Sequence, residues 1–165
     1  MSFASVNSAV HTWLSGNVAG LTTLYPAVPY WMLGDQWQAN SVPGTPAYLH
    51  ITDMSESRIT VPALPRAGGQ KQRDYQFLLV MLYQYLIPPG STTDRSDWVN
   101  GQLALLDAAV ARLEADPSMG GTVFEAANQH DGIKTHRDGP VLDATGGKLM
   151  AWCHVEFTVT EIVQA

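Results

Sequence analysis

Apolar residues recur along this chain with two distinct periods. Phe3, Val6, Val10, Trp13 and Leu14 follow steps of three and four, the stripe of an amphipathic helix over residues 2–14. Ser2 or Ser5 supplies a cap and Gly16 a stop. Ala47, Leu49 and Ile51 then alternate with Tyr48, His50 and Thr52, which predicts a strand over 47–52. A second short strand is expected at 58–61, with 53–57 as a turn or a bulge between the two. Residues 75–87 (YQFLLVMLYQYLI) are apolar at both parities. A strand of that kind is covered on both faces, and its Tyr, Phe and Val content favours strand over buried helix. Residues 91–116 return to the helical period, with Trp98 or Val99, Leu103, Leu106, Val110 and Leu113 as the apolar stripe. Asp94 and Asp97 sit near its start, where the helix dipole favours acids, and Asp116-Pro117 ends it. Finally Ala151, Cys153, Val155, Phe157, Val159 and Val163 share one parity of a long strand over 149–163. Glu161 interrupts that parity near the end, where the strand is expected to fray into solvent.

The connecting stretches are rich in turn residues. Residues 20–46 hold Pro26, Pro29, Pro43 and Pro46 together with Tyr25, Tyr30, Trp31 and Trp37. Extended pieces are expected there at 27–33 and 36–38, with the aromatics packed in the core or at a subunit interface. Residues 64–73 (LPRAGGQKQR) read as a flexible basic loop carrying Arg66, Lys71 and Arg73. Residues 122–136 are expected to be extended, with turns at Asp131-Gly132, Asp138-Gly139-Pro140 and Gly146-Gly147. Helix, strands, one long helix, strands: this order predicts a single α+β domain over residues 1–165, with both helices on one face of a mostly antiparallel sheet.

Composition narrows the function classes. The 165 residues are 45% hydrophobic, which suits one domain with a full core. Only 15% are charged, against a typical ~25%. So few charges imply that partners normally cover part of the surface. The net charge of −6 argues against a free-standing nucleic-acid-binding domain. A lone cysteine, Cys153, rules out an internal disulfide framework and a multi-cysteine zinc site. The first residues lack the basic and apolar regions of a signal peptide, and the longest apolar run falls short of the ~20 residues of a membrane span.

Catalytic chemistry finds little support. Residues 16–20 lack the Lys and Ser/Thr of a phosphate-binding loop, and neither glycine doublet stands in a dinucleotide-binding context. His130 and His136 lie six apart beside Asp131 and Asp138, a spacing that fits no standard zinc pattern. Cys153 has His50, His130 and His136 as conceivable bases, but its parity is apolar, and a buried cysteine is usually inert. No cofactor, metal or catalytic residue is expected. The basic trio Arg66, Lys71 and Arg73 is the most distinctive polar feature: a phosphate contact in a pore wall, an inter-subunit contact, or solvated charge.

Four passages together resemble the tail terminators of long-tailed bacteriophages. They are the opening helix ending in Trp13-Leu14, the strand–basic loop–strand passage through 47–87, the Ala/Leu helix ending in LEADPSMGG (113–121), and the closing strand LMAWCHVEFTVTEIV (149–163). The resemblance implies a virion structural protein rather than an enzyme. Such α+β subunits close into hexameric rings that cap the tail tube, stop tube-protein polymerisation and present a surface to the head–tail connector or stopper. DNA passes the lumen without being read, and the protein resides in the tail or neck after assembly in the host cytoplasm. On this reading Arg66, Lys71 and Arg73 face the lumen or a neighbouring subunit. A head–tail adaptor or stopper of the neck is the nearest alternative. A small-ligand module lined by Trp31, Trp37 and Trp152 is the next, and a small hydrolase using the His130/His136/Asp131 region is the last.

Overall fold

The computed structural model of the chain describes residues 3–30, 44–59, 70–87, 95–121, 123, 125–126, 132–139, 141–142 and 148–164. Its elements in chain order are α1 (Phe3–Leu14), β1 (Thr23–Tyr25), β2 (Pro46–Ile59), β3 (Gln70–Leu86), α2 (Arg95–Ala115), β4 (Glu125–Ala126), β5 (Lys134–Arg137), β6 (Val141–Leu142) and β7 (Lys148–Gln164). All seven strands belong to one sheet with the path β1-β2-β3-β7-β4, and β5 and β6 also pair with β7. Among the described residues, β1 with β2 is the one parallel pairing and the others are antiparallel. This is the expected α+β architecture.

The middle of the sheet is set by β3. It pairs with β7 from Gln70↔Gln164 to Leu86↔Lys148, and with β2 from Ala47↔Met81 to Ile59↔Gln70. At ~3.3 Å per residue, the 17 residues of β3 extend roughly 55 Å. The β2 register shifts between Ile51 and Asp53, so Thr52 is an extra residue. Neither the turn nor the bulge expected at 53–57 is found there: those residues pair in regular register with β3, the two expected short strands are one, and the bulge at Thr52 exchanges faces. Leu49 and Ile51 share a side with Leu79 and Phe77 before it, and Met54 and Glu56 take that side with Tyr75 and Arg73 after it.

Both helices cover the face carrying Tyr75, Phe77, Leu79 and Met81 of β3 and Cys153, Val155, Phe157 and Val159 of β7. Val6, Val10 and Leu14 of α1 and Leu105, Leu106, Ala109 and Leu113 of α2 complete this core. Phe77 and Phe157 are register partners with stacked rings, 5.5 Å between centroids. Such a pair adds about 0.5–1.5 kcal/mol beyond its area burial. On the opposite face Leu82 and Met150 form a smaller cluster against Trp152.

Several expectations are corrected. The α2 stripe runs through Trp98, Gln102, Leu105, Leu106, Ala109 and Leu113, whereas Leu103 is 42% exposed and Val110 only half-buried. The polar Gln102 at a fully buried position disguised the phase. Its Nε2 donates to Cys153 Sγ at 3.7 Å. Lys71 and Arg73 lie on β3, not in a loop, because the strand starts at Gln70; Arg66 lies outside the described residues. Glu161 does not fray: it is 5% exposed and accepts from the Tyr75 hydroxyl at 3.1 Å. The first extended piece is β1 rather than 27–30, and Trp31, Trp37 and residues 36–38 lie outside the described residues. The turn expected at Asp138-Gly139-Pro140 does not reverse the chain between β5 and β6, and Pro140 itself lies outside the described residues. Arg137 opposes Cys153, Val141 opposes Met150, and the Asp138 amide donates to the Trp152 carbonyl at 2.9 Å. The chain therefore continues along the same edge of β7.

Gly101 sits inside α2, where glycine ordinarily costs about 1 kcal/mol relative to alanine. The reason is Tyr83, whose ring and hydroxyl occupy the space a Cβ would need. Gly101→Ala is therefore expected to lower stability by about 1–3 kcal/mol despite its better helix propensity, with Tyr83→Phe restoring part of the loss; thermal melts of the three variants read this. Leu105→Ala is expected to cost about 2–4 kcal/mol, while Leu103→Ala stays within about 0.5 kcal/mol, measured as shifts in denaturant midpoint.

Candidate interaction surface

Two places bring polar side chains of both charges together, and a third is built mainly from uncharged ones. The first is the end of the sheet beyond the helices. Glu56 opposes Arg73, which opposes Glu161. Glu56 accepts from Lys71 Nζ at 2.8 Å and from Arg73 Nε at 2.8 Å. Arg73 also donates to the Tyr75 hydroxyl, which in turn donates to Glu161. Hydrogen bonds from Lys71 and then Arg73 hold the Glu56 carboxyl below the usual carboxylate range. That contribution is complete at neutral pH and is lost as pH falls through the lowered value. The three charged side chains keep 27–35% of their surface in water, so salt screens them. Two members of the expected basic trio thus come together, and both are engaged by one carboxylate of the same chain. Burial pushes the Tyr75 hydroxyl up, so it stays protonated and keeps donating.

The second place is a cleft of about 280 Å³ on the sheet face away from the helices, next to the β2 bulge. Thr52, Gln76, Lys134, Glu156 and Thr158 line it with Gly132. None of these is a nucleophile paired with a base. Cys153 lies on the other parity, fully buried, and burial pushes its thiol up to about 11. His136 and His154 project from the opposite parity, so Cys153 has no imidazole partner from either. His50 is exposed on β2, and His130 and Asp131 lie outside the described residues. Among the described residues, no three His, Cys, Asp or Glu side chains are grouped to hold a metal ion, and no helix is long and apolar enough to cross a membrane. Iodoacetamide near pH 8 is expected to leave Cys153 unlabelled in the native protein and to label it only as the chain unfolds.

The third place is the outer side of α1, together with the cleft beside it. Val6, Val10 and Leu14 face the core. Asn7 Nδ2 donates to the Pro26 carbonyl at 3.1 Å, and His11 Nε2 meets the Leu24 carbonyl at 2.9 Å, which ties α1 to β1 and the turn after it. At its C-terminal end the Arg112 guanidinium lies 3.5 Å over the Trp13 ring and reaches the Trp13 carbonyl at 3.4 Å. This cation–π contact also places a positive charge where the helix dipole favours one. Trp13, Arg112 and Met119 floor a cleft of about 520 Å³ whose wall is Ser5, Ser8, Ala9, Thr12 and Asn17.

That outer side is built from small uncharged residues: Ala4, Ser8, Thr12 and Ser15 are exposed. A surface helix normally carries charge on its solvent face. Here no Asp, Glu, Lys or Arg precedes Asp35, so α1, β1 and the turn after it carry none, although Tyr30 is 74% exposed. This charge-free run was readable in the sequence and is the signal that a search for catalytic motifs passes over. Trp13 Nε1 and Arg112 Nε are both buried without a hydrogen-bond partner among the described residues. No known protein family matches the sequence, and no curated protein matches it either.

Proposed function

We propose that the chain is a ring-forming structural subunit of a phage tail neck, of the tail-terminator type. In that role it ends tail-tube polymerisation and offers a docking surface to the head–tail connector. The observation that carries the reading is the uncharged outer side of α1 with its adjoining cleft. The helix face of small uncharged residues allows close approach of another backbone, and the one cation at the cleft floor, Arg112, is already held against the Trp13 ring. A head-to-tail ring needs one such covered flank on each subunit, and a low charged fraction follows from covering both flanks. The sheet end beyond the helices, where Glu56, Lys71, Arg73, Tyr75 and Glu161 are linked, is the second element assigned to assembly. Its hydrogen bonds make a rigid polar projection suited to a neighbouring subunit or the lumen wall. DNA in that lumen would meet backbone-phosphate contacts alone, with no sequence readout.

The test is the paired substitution Ser8→Arg with Thr12→Arg, both at exposed positions of α1. The variant is expected to keep the wild-type melting temperature and circular dichroism but to lose ring particles by negative-stain microscopy, since each buried unpaired charge costs about 2–5 kcal/mol at an interface. Rings that form as in wild type would contradict the assignment of this face.

A further inference from the structure

The outer edge of β7 is covered in succession by β4, β5 and β6. The middle cover is a short strand with all four residues, Lys134–Arg137, exposed. Its register puts His136 directly across from His154, with ring centroids 5.9 Å apart and planes tilted by 43°. His136 Nε2 lies 3.1 Å from Asp138 Oδ1. His154 is half-buried on the face away from the helices.

We propose that the His136/His154 pair is a proton-operated latch: with at most one of the two imidazoles charged, β5 stays seated on β7, and when both are charged it lifts and bares the β7 edge from Cys153 to Glu156. Asp138 Oδ1 is the carboxylate that faces the exposed His136 ring. His154 resists its own proton, because burial lowers its affinity and a charged His136 lowers it further, against the pull of Asp138 and Glu156. Glu156 is exposed and faces Lys134 across the ladder, so its pull is shared. From β3 the flanking positions on this face are Leu78, Val80 and Leu82, which carry no charge, and β2 beyond them places Tyr48 and His50 opposite Val80 and Leu78, with Asp53 farther along the same face opposite Gln76. Burial raises the Tyr48 hydroxyl, so it is neutral throughout. Acidification through the histidine range thus places two like charges directly opposite each other beneath an exposed four-residue strand, an arrangement that destabilises a cross-strand pair. The edge that β5 leaves is a row of unpaired amides and carbonyls, a template for a strand from a partner.

The test is amide hydrogen exchange on the full chain at about pH 7.5 and about pH 5.5, with each rate referenced to its intrinsic chemical rate. Protection of the Lys134–Arg137 segment is expected to fall about tenfold or more on acidification, while the ladder between β2 and β3 keeps its protection. His154→Gln, which holds a neutral polar side chain at that position, is expected to keep β5 protected at both pH values. Unchanged β5 protection in the wild-type chain would overturn the proposal. So would an equal loss in His154→Gln, or a loss shared by the β2–β3 ladder, which would mean that acid weakens the whole fold.

Discussion

Everything in this fold hangs on the pairing of β3 with β2 and β7. β3 carries a partner along both edges and apolar residues at both parities, so it can sit nowhere but the middle of the sheet. That position fixes which side chains of β7 meet the helices, because a one-residue slip would turn Cys153, Val155, Phe157 and Val159 outward and His154, Glu156 and Thr158 inward. The stacked Phe77 and Phe157 mark the chosen register. Since the helices cover only part of a strand roughly 55 Å long, the ladder runs on past them, and there the fold exchanges hydrophobic contact for the Lys71–Glu56–Arg73–Tyr75–Glu161 linkage.

The sequence made the elements legible where one period dominated. Val6, Val10 and Leu14 on α1, the double-parity run of β3 and the alternation of β7 all predict their structures directly. It misled where one residue served a tertiary need. Gln102 occupies a core position of α2 beside Cys153, and so the stripe read from leucines alone slid onto the exposed Leu103. Glu161 looks like a strand end, but it is buried because Tyr75 reaches it. Lys71 and Arg73 follow a glycine doublet and look like loop residues, yet the cross-strand carboxylate of Glu56 holds them in the ladder. Pairing partners distant in sequence decide all three cases, and no local pattern records them.

The candidate surface was legible in one respect and hidden in another. The low overall charge fraction pointed to covered surface, but its location depends on α1. Only the fold shows that the residues before Asp35 place uncharged side chains outward on one helix, beside a cleft floored by Trp13, Arg112 and Met119. Arg112 is a cation spent on holding α1 in place. Lys71 and Arg73 are spent on the end of the sheet. These three cations tie elements of the chain to one another, while the exposed residues of α1 carry no charge.

The mass of the purified chain in solution, alone and with the tail-tube protein, tests the assembly reading most directly, with negative-stain imaging of any large species. The account predicts a particle near six times the 17.9 kDa chain mass with a central hole. A monodisperse species of 17.9 kDa in both conditions would contradict it.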